Sequence, residues 1–432
     1  VGVLSVEQAV SGIDGLPYFD SIDFKSSAGW PWRTDPAENA GRKETWLKLE
    51  YDESEKPIFK GLHSQLAAVM HDKHMQRMNN IVPFTVFADT LKDETLPIAK
   101  ARRRGGTRVI SMSPIDLTIQ QRQVTMDFCA AFMHSRLDLE HAIGINPDSD
   151  EWTALFTRLV RNKRQWFVAG DYKKFGDKLP VSIGLRCFSI IRRWYRKHCV
   201  NSADADQIDQ ILKIMSFEIF NAKHIFYNTI YQTLAGMPSG NTMTVILNSM
   251  VNSVFVRCSW LKIMRGSPYA GLDMFHQNTT LYSYGDDVII SVADEVRDRF
   301  NTVSMSEFFA DHKLTFTDAD KAGEIRPLRT RSEMVFLKRG WLYCKHLKEI
   351  GVRSILLAPI EEDTVTEVVH WVRRSPDALA MAKLMTKEAS KLAFTRGPEY
   401  YKRICETLIK IWSDREGYLT FPTWDDLAYR TY

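Results

Sequence analysis

The 432-residue sequence contains no C-x-x-C pair. Its six cysteines, Cys129, Cys187, Cys199, Cys258, Cys344 and Cys405, are scattered. That argues against a zinc ribbon or a disulfide frame and fits free, buried thiols in a reducing compartment. Long apolar runs are also missing. The most apolar stretch, Met243–Leu261, carries Asn248, Asn252 and Arg257, so no transmembrane segment is expected. No signal peptide is expected at the start, and there is no internal repeat or low-complexity segment. Neither charge dominates: 57 Lys and Arg face 53 Asp and Glu, a net charge of +4 with pI near 8.6. Such a balance does not by itself demand a polyanionic partner, so local clustering matters more. What is present, 44% hydrophobic and 25% charged residues, is the composition of a globular chain with ample core. The length suggests two or three domains.

The chain is organised around Leu281–Val292, LYSYGDDVIISV. Apolar runs on either side of Gly285, Asp286 and Asp287 predict a β-hairpin with this turn at its tip. Adjacent carboxylates repel each other and gain most from a bound cation, and hard oxygen ligands suit Mg²⁺ or Mn²⁺. The alternative is an ordinary solvated turn. Trp166–Gly170 reads as a short strand ending at Asp171. With helical patterns at Thr242–Leu261 and Asp294–His312, and a strand at Lys313–Thr317, the order is β-α-β-β-α-β once one insertion is removed. In that topology the first and third strands are neighbours, which brings Asp171 to Asp286 and Asp287.

Three further stretches carry chemistry. Lys92–Ile110 concentrates Lys92, Lys100, Arg102, Arg103, Arg104 and Arg108 around Gly105-Gly106, opposed only by Asp93 and Glu94. This predicts a strand–turn–strand arm that grips phosphates, or else a solvated basic face. Gly236–Asn241 is a glycine-bounded loop. It feeds a helix on which Thr244, Asn248 and Asn252 form one polar stripe, either bonded to neighbouring backbone or facing a polar ligand. Met334–Cys344 reads as a hairpin with Lys338 and Arg339 at its tip, and from about Ile360 the chain is mainly helical.

In this order, SSAGWPW, KDE with its basic arm, GDYKKFGD, GMPSGNTMTVILNS, YGDD, LTFTDADK and FLKR resemble the motifs of RNA-dependent RNA polymerases of positive-strand, picornavirus-like RNA viruses, with wording nearest insect picorna-like viruses. The resemblance covers nearly the whole chain. It implies an α+β right-hand fold with a ferredoxin-like palm and a mostly helical thumb: fingers 1–165, palm 166–180, a fingers insertion 181–230, palm 231–345 and thumb 346–432. It also implies template-directed RNA synthesis from NTPs, with pyrophosphate release and two Mg²⁺ ions, for which Mn²⁺ can substitute. The implied metal ligands are Asp171, Asp286 and Asp287, the last with a plain turn-forming role as its alternative. Lys321 is the implied general acid, or a surface lysine. Lys92, Arg102 and Arg108 would hold the triphosphate, Ser239 and Asn248 would contact the ribose or the templating nucleotide, and Lys338 and Arg339 would grip the primer. Implied partners are RNA template and primer, a small viral protein primer and other viral replication proteins. The implied location is the host cytoplasm, peripheral to membrane-bound replication complexes. The family usually carries more sequence ahead of SAGWP.

One departure from the family pattern matters most. The second carboxylate usually stands five residues after the first, but Gly176 occupies that position and Asp177 follows. Asp177 takes the role if Gly176 forms a bulge that re-aims it; otherwise Asn248 works with Ser239 alone. Two competing readings are a reverse transcriptase, which rNTP against dNTP incorporation separates, and a catalytically dead RNA-binding scaffold.

Overall fold

The structure, a computed structural model, describes residues 1–33, 41–319, 324–371, 375–413 and 419–432. The chain divides into two compact units, residues 1–135 with 174–254 and residues 136–173 with 255–432.

The second unit is built on an antiparallel sheet in the order Thr315–Asp318, Trp166–Lys173, Asp287–Val292, Thr279–Tyr284. In chain order this is 4-1-3-2, as the β-α-β-β-α-β pattern predicts. Val288, Ile289, Ile290 and Val292 are all buried. A strand covered on both faces reads as a continuous apolar run rather than an alternating one. Phe167, Tyr282 and Ile289 pack with Trp152, Leu155 and Leu159. The latter three lie on helix Asp150–Leu159, whose first turn is capped by Ser149 Oγ accepting from Glu151 N at 3.3 Å. Elsewhere Tyr172 and Phe316 of the sheet cluster with Phe309, on helix Thr302–Asp311, at ring separations of 4.7–5.3 Å. Fully burying each such side chain is worth about 1.5–3 kcal/mol.

Helices Ala378–Phe394, Pro398–Ser413 and Trp424–Thr431 close this unit's C-terminal part. Their core joins Phe394, Tyr401 and Trp424 to Leu347, Leu357 and Val365, and the Trp424 indole donates to Phe394 O at 3.0 Å.

The first unit holds a four-stranded sheet in the order Val109–Met112, Val86–Leu91, Lys223–Phe226, Thr229–Gln232, with its two central strands parallel. Helices Ser64–Met78, Ile115–His134, Val181–His198 and Ser202–Phe220 accompany it. Arg77 and Glu218, both buried, join two of these helices through bonds of 2.6 and 2.8 Å, and Thr85 donates to the same carboxylate. A buried pair of this kind persists only when its remaining hydrogen-bonding capacity is met. The small-residue and aromatic run near the start is packed: Trp32 is buried and donates to Asp116 at 2.7 Å, and Lys73 holds the same carboxylate at 2.6 Å. Helical spacing suggests Arg122–His141, whereas the helix is Ile115–His134. It begins directly after Pro114, because the residue before a proline is pushed out of the helical region.

Candidate active site

The second unit carries the carboxylates. Its central strand does not end at Asp171 but continues to Lys173, because Thr315–Asp318 supplies partners there: Thr317 faces Asp171. On the other side the ladder runs to Gly170↔Val288, and one more residue in the same register sets Asp171 beside Asp287. By the two-residue alternation of strands, both share the face that carries Phe167 and Ile289. The hairpin turn is shorter than the sequence suggests. Asp287 opens the second strand opposite Tyr284, so the turn is Gly285-Asp286 alone. Gly285 has φ +65°, the conformation a two-residue hairpin turn needs at its first position to match strand twist. Asp171, Asp286 and Asp287 are all half-buried.

Among the described residues no three His, Cys, Asp or Glu side chains form a ready-made metal cage. The donors nevertheless fit a hard divalent cation. Mg²⁺ is commonly held by one or two carboxylates together with substrate phosphate oxygens rather than by an all-protein cage.

The first unit carries the basic arm. It is not a plain strand–turn–strand. Strand Val86–Leu91 ends before Lys92, a short helix covers Ile98–Ala101, and strand Val109–Met112 returns. Lys92 N donates to Arg108 O at 2.8 Å, closing the arm's base. Arg102 and Arg108 are exposed and Lys92 is half-buried. Glu94 receives Arg108 through Nε at 3.1 Å and Nη2 at 2.5 Å, and Lys92 Nζ lies 3.6 Å away. The Arg108 hydrogen bond is the chief cause that holds the Glu94 carboxyl down at about 2. The role of Glu94 is not apparent from sequence, where it is only one of two acids in a basic run. Its place two residues after Lys92 is the available signal.

The glycine-bounded loop is fastened at both ends. Gly236 N donates to Leu179 O at 2.9 Å and Met237 N to Gly176 O at 3.0 Å, while Gly240 N donates to Ser111 O at 2.9 Å. A Cβ on Gly240 would come within 2.3 Å of Ser111 O, so only glycine permits this approach. Ser239 is exposed, and its Oγ accepts from Ser111 N at 3.0 Å. The helix that follows carries the polar stripe. Thr244 Oγ1 donates to Asn241 O at 2.8 Å. Asn248 is buried, and among the described residues nothing donates to its Oδ1.

Gly176 does not form a bulge in a continuing strand. The strand stops at Lys173, Lys174 turns with φ +58°, and Gly176–Lys178 makes one 3₁₀ turn. Asp177 sits exposed on that turn, its direction set by a break in the ladder rather than by strand alternation.

Lys338 and Arg339 do not share a hairpin tip. Phe336 and Arg339 exchange backbone bonds of 2.9 and 3.0 Å, so the tip is Leu337-Lys338, both with positive φ. Lys338 is exposed. Arg339 turns inward, donating to Ala358 O at 2.8 Å with Asp148 at 3.5 Å. Lys321 lies outside the described residues.

The comparisons with known proteins agree with this architecture. A family model described as viral RNA-dependent RNA polymerase matches residues 2–411. The genome polyprotein of Deformed wing virus is 35% identical over all of this chain, and the replicase polyprotein of Drosophila C virus is 28% identical over 95% of it. The chain spans only 14% and 23% of those polyproteins. Among solved structures, a Sicinivirus 3Dpol RNA dependent RNA polymerase superposes with a TM-score of 0.75 at 23% identity, covering 99% of this chain and 80% of that one. The fold is therefore that of the right-hand polymerases, and the chain belongs to the viral RNA-dependent RNA polymerase family.

Proposed function

We propose that the chain catalyses template-directed RNA synthesis for a viral genome, transferring a nucleotidyl group from an NTP to a primer 3′-hydroxyl and releasing pyrophosphate. The observation that carries this reading is the sheet register, in which Asp171 follows directly on the Gly170↔Val288 pair while Asp286 and Asp287 stand at the adjoining hairpin tip. Asp171 and Asp286 would hold two Mg²⁺ ions, or Mn²⁺ in their stead, with Asp287 as helper ligand. When bound, the ions supply charge opposite the attacking and leaving oxygens.

Within this reading the remaining residues bind and orient. Arg108, Lys92 and Arg102 hold the triphosphate, Arg108 as a planar fork suited to phosphate oxygens. Glu94 keeps that fork aligned before substrate arrives. Asn248 Oδ1, a buried acceptor, takes a hydrogen bond from the ribose 2′-hydroxyl, and the Ser239 hydroxyl, which accepts from a backbone N–H, keeps its own proton to donate. Asp177 lies near enough to Tyr231 to influence it electrostatically; with no bulge at Gly176 to re-aim it, Asn248 and Ser239 make the ribose contacts without it. Lys321 donates a proton to the leaving pyrophosphate. Lys338 grips the primer backbone, while Arg339 holds the turn that presents it.

The likeness to polyprotein segments supports release from a viral polyprotein and work beside other viral proteins; a small viral protein primer is proposed on the motif resemblance alone. We propose the host cytoplasm, at the periphery of membrane-bound complexes, as the location; no described helix is long and apolar enough to cross a membrane. Primer extension on a homopolymer template with Mg²⁺ tests the reading. The parent chain extends with rNTPs, and Asp286→Ala abolishes extension while RNA binding survives. Substantial Mg²⁺-dependent synthesis by Asp286→Ala would overturn the carboxylate assignment.

A further inference from the structure

One side chain from each of the four strands of the first unit's sheet meets at a single buried carboxylate. Asp89, on Val86–Leu91, is the direct cross-strand partner of Ser111, on Val109–Met112. His224 and Tyr231 are cross-strand partners on the other two strands. The Asp89 carboxylate accepts from His224 Nδ1 at 3.0 Å and from the Tyr231 hydroxyl, and the Ser111 side chain stands beside it across the strands and helps to hold it ionised. His224 is clamped in turn, stacked on Tyr231 at 5.2 Å and tilted against Phe87 at 5.9 Å. The Asp89 and His224 side chains are 2% and 6% exposed. Burial by itself would raise the Asp89 carboxyl, but the bonds from His224 and Tyr231, with the help of Ser111, outweigh it and hold the group below its usual range.

A charge this enclosed is costly unless every bond is met, and a sheet can be stapled by neutral pairs at less cost. What distinguishes this network is where it ends. The backbone of Ser111 donates to Ser239 Oγ at 3.0 Å and accepts from Gly240 N at 2.9 Å. Met112 and Gly240 form an isolated parallel bridge. The residue paired with Asp89 across the strands is therefore the residue against which the glycine-bounded loop registers.

We propose that Asp89 is a positioning residue for nucleotide selection, setting through Ser111 where Ser239 and Gly240 stand. It touches neither substrate nor metal. The inference rests on the reading of Ser239 as a contact to the incoming ribose or its template partner, and the test separates the two.

The ratio of kcat/KM for rNTP over dNTP is measured in primer extension for Ser239→Ala, Asp89→Ala and the double variant, with Asp89→Asn as the conservative change. Asp89→Ala lowers the ratio roughly three- to tenfold, the range one hydrogen bond spans, and raises KM for rNTP more than it lowers kcat. Asp89→Asn keeps an acceptor oxygen and retains most of the parental ratio. In the Ser239→Ala background Asp89→Ala adds nothing further, since coupled residues are non-additive. Should Asp89→Ala fail to fold, Tyr231→Phe replaces it, deleting one donor to Asp89 while keeping the ring on His224. A ratio lowered by Ser239→Ala but untouched by Asp89→Ala and Tyr231→Phe overturns the inference. So does full additivity in the double variant. A ratio that Ser239→Ala itself does not move overturns the reading of Ser239, and the proposed route from Asp89 falls with it.

Discussion

Gly170 stands one residue before Asp171, and the structure gives a steric reason for it. A Cβ at this position would lie 1.9 Å from Phe316 Cζ and 2.3 Å from Cε2. Non-bonded carbons normally approach no closer than about 3.5 Å, so the ring would have to retreat by about 1.5 Å. Little room is available: Phe316 is 1% exposed and packs 4.7 Å from Tyr172 and 5.3 Å from Phe309. The next residue, Thr317, is the strand partner of Asp171, so the strain arrives beside the carboxylate. Gly170→Ala is expected to destabilise the protein by about 1–3 kcal/mol, the usual cost of overpacking a core. A shift of Asp171 by about 1 Å would lower kcat on the order of 10²-fold. Urea unfolding followed by tryptophan fluorescence reads the first effect, and single-turnover primer extension reads the second. Phe316→Leu in the Gly170→Ala background frees the space and should recover part of both. Parental stability and parental rate in Gly170→Ala would refute the packing argument.

Three other outcomes are expected. Arg108→Ala should raise the NTP KM and lower the rate, whereas a change confined to RNA affinity and its salt dependence would assign the arm to the template. Asn248→Ala removes a buried acceptor that has no protein donor among the described residues. Its thermal stability should be parental or higher while rNTP over dNTP selection falls about ten- to a hundredfold, and unchanged selection would remove Asn248 from the ribose site. Asp209 is drawn upward by burial, but Arg192 and Arg196 bond it and bring it down to about 2. Its contribution to stability is therefore complete above the ordinary carboxylate range near pH 4 and is lost as the pH falls towards about 2. Asp209→Asn should flatten that acid limb of the melting profile, and an unaltered limb would show that other carboxylates govern it.

Much of the second unit was legible from residues alone. A Gly-Asp turn between apolar runs can hardly be anything but a hairpin, and the alternation of strand and helix patterns around it admits few topologies. The sequence pattern therefore brings Asp171 and the hairpin tip together. Less visible were the details that depend on where strands stop. The central strand runs on to Lys173 because its edge partner continues beside it. The stretch after it turns at Lys174, so the bulge expected at Gly176 had no ladder in which to form. Arg339 looked equivalent to Lys338, yet a two-residue turn sends neighbouring side chains to different surroundings, one to solvent and one to Ala358 O.

By itself the sequence determined the order of elements, the hairpin, the pairing of Asp171 with the Asp286-Asp287 tip and the family resemblance, because these depend on local pattern and on a topology that short connections enforce. Only the tertiary structure decided that Glu94 clasps Arg108, that Gly170 must lack a side chain beneath Phe316, and that Asp89 gathers Ser111, His224 and Tyr231. Each of these is a contact between groups whose types are unremarkable in isolation. Distance and direction in three dimensions, which no periodicity encodes, turn them into a clasp, a close approach and a buried charge.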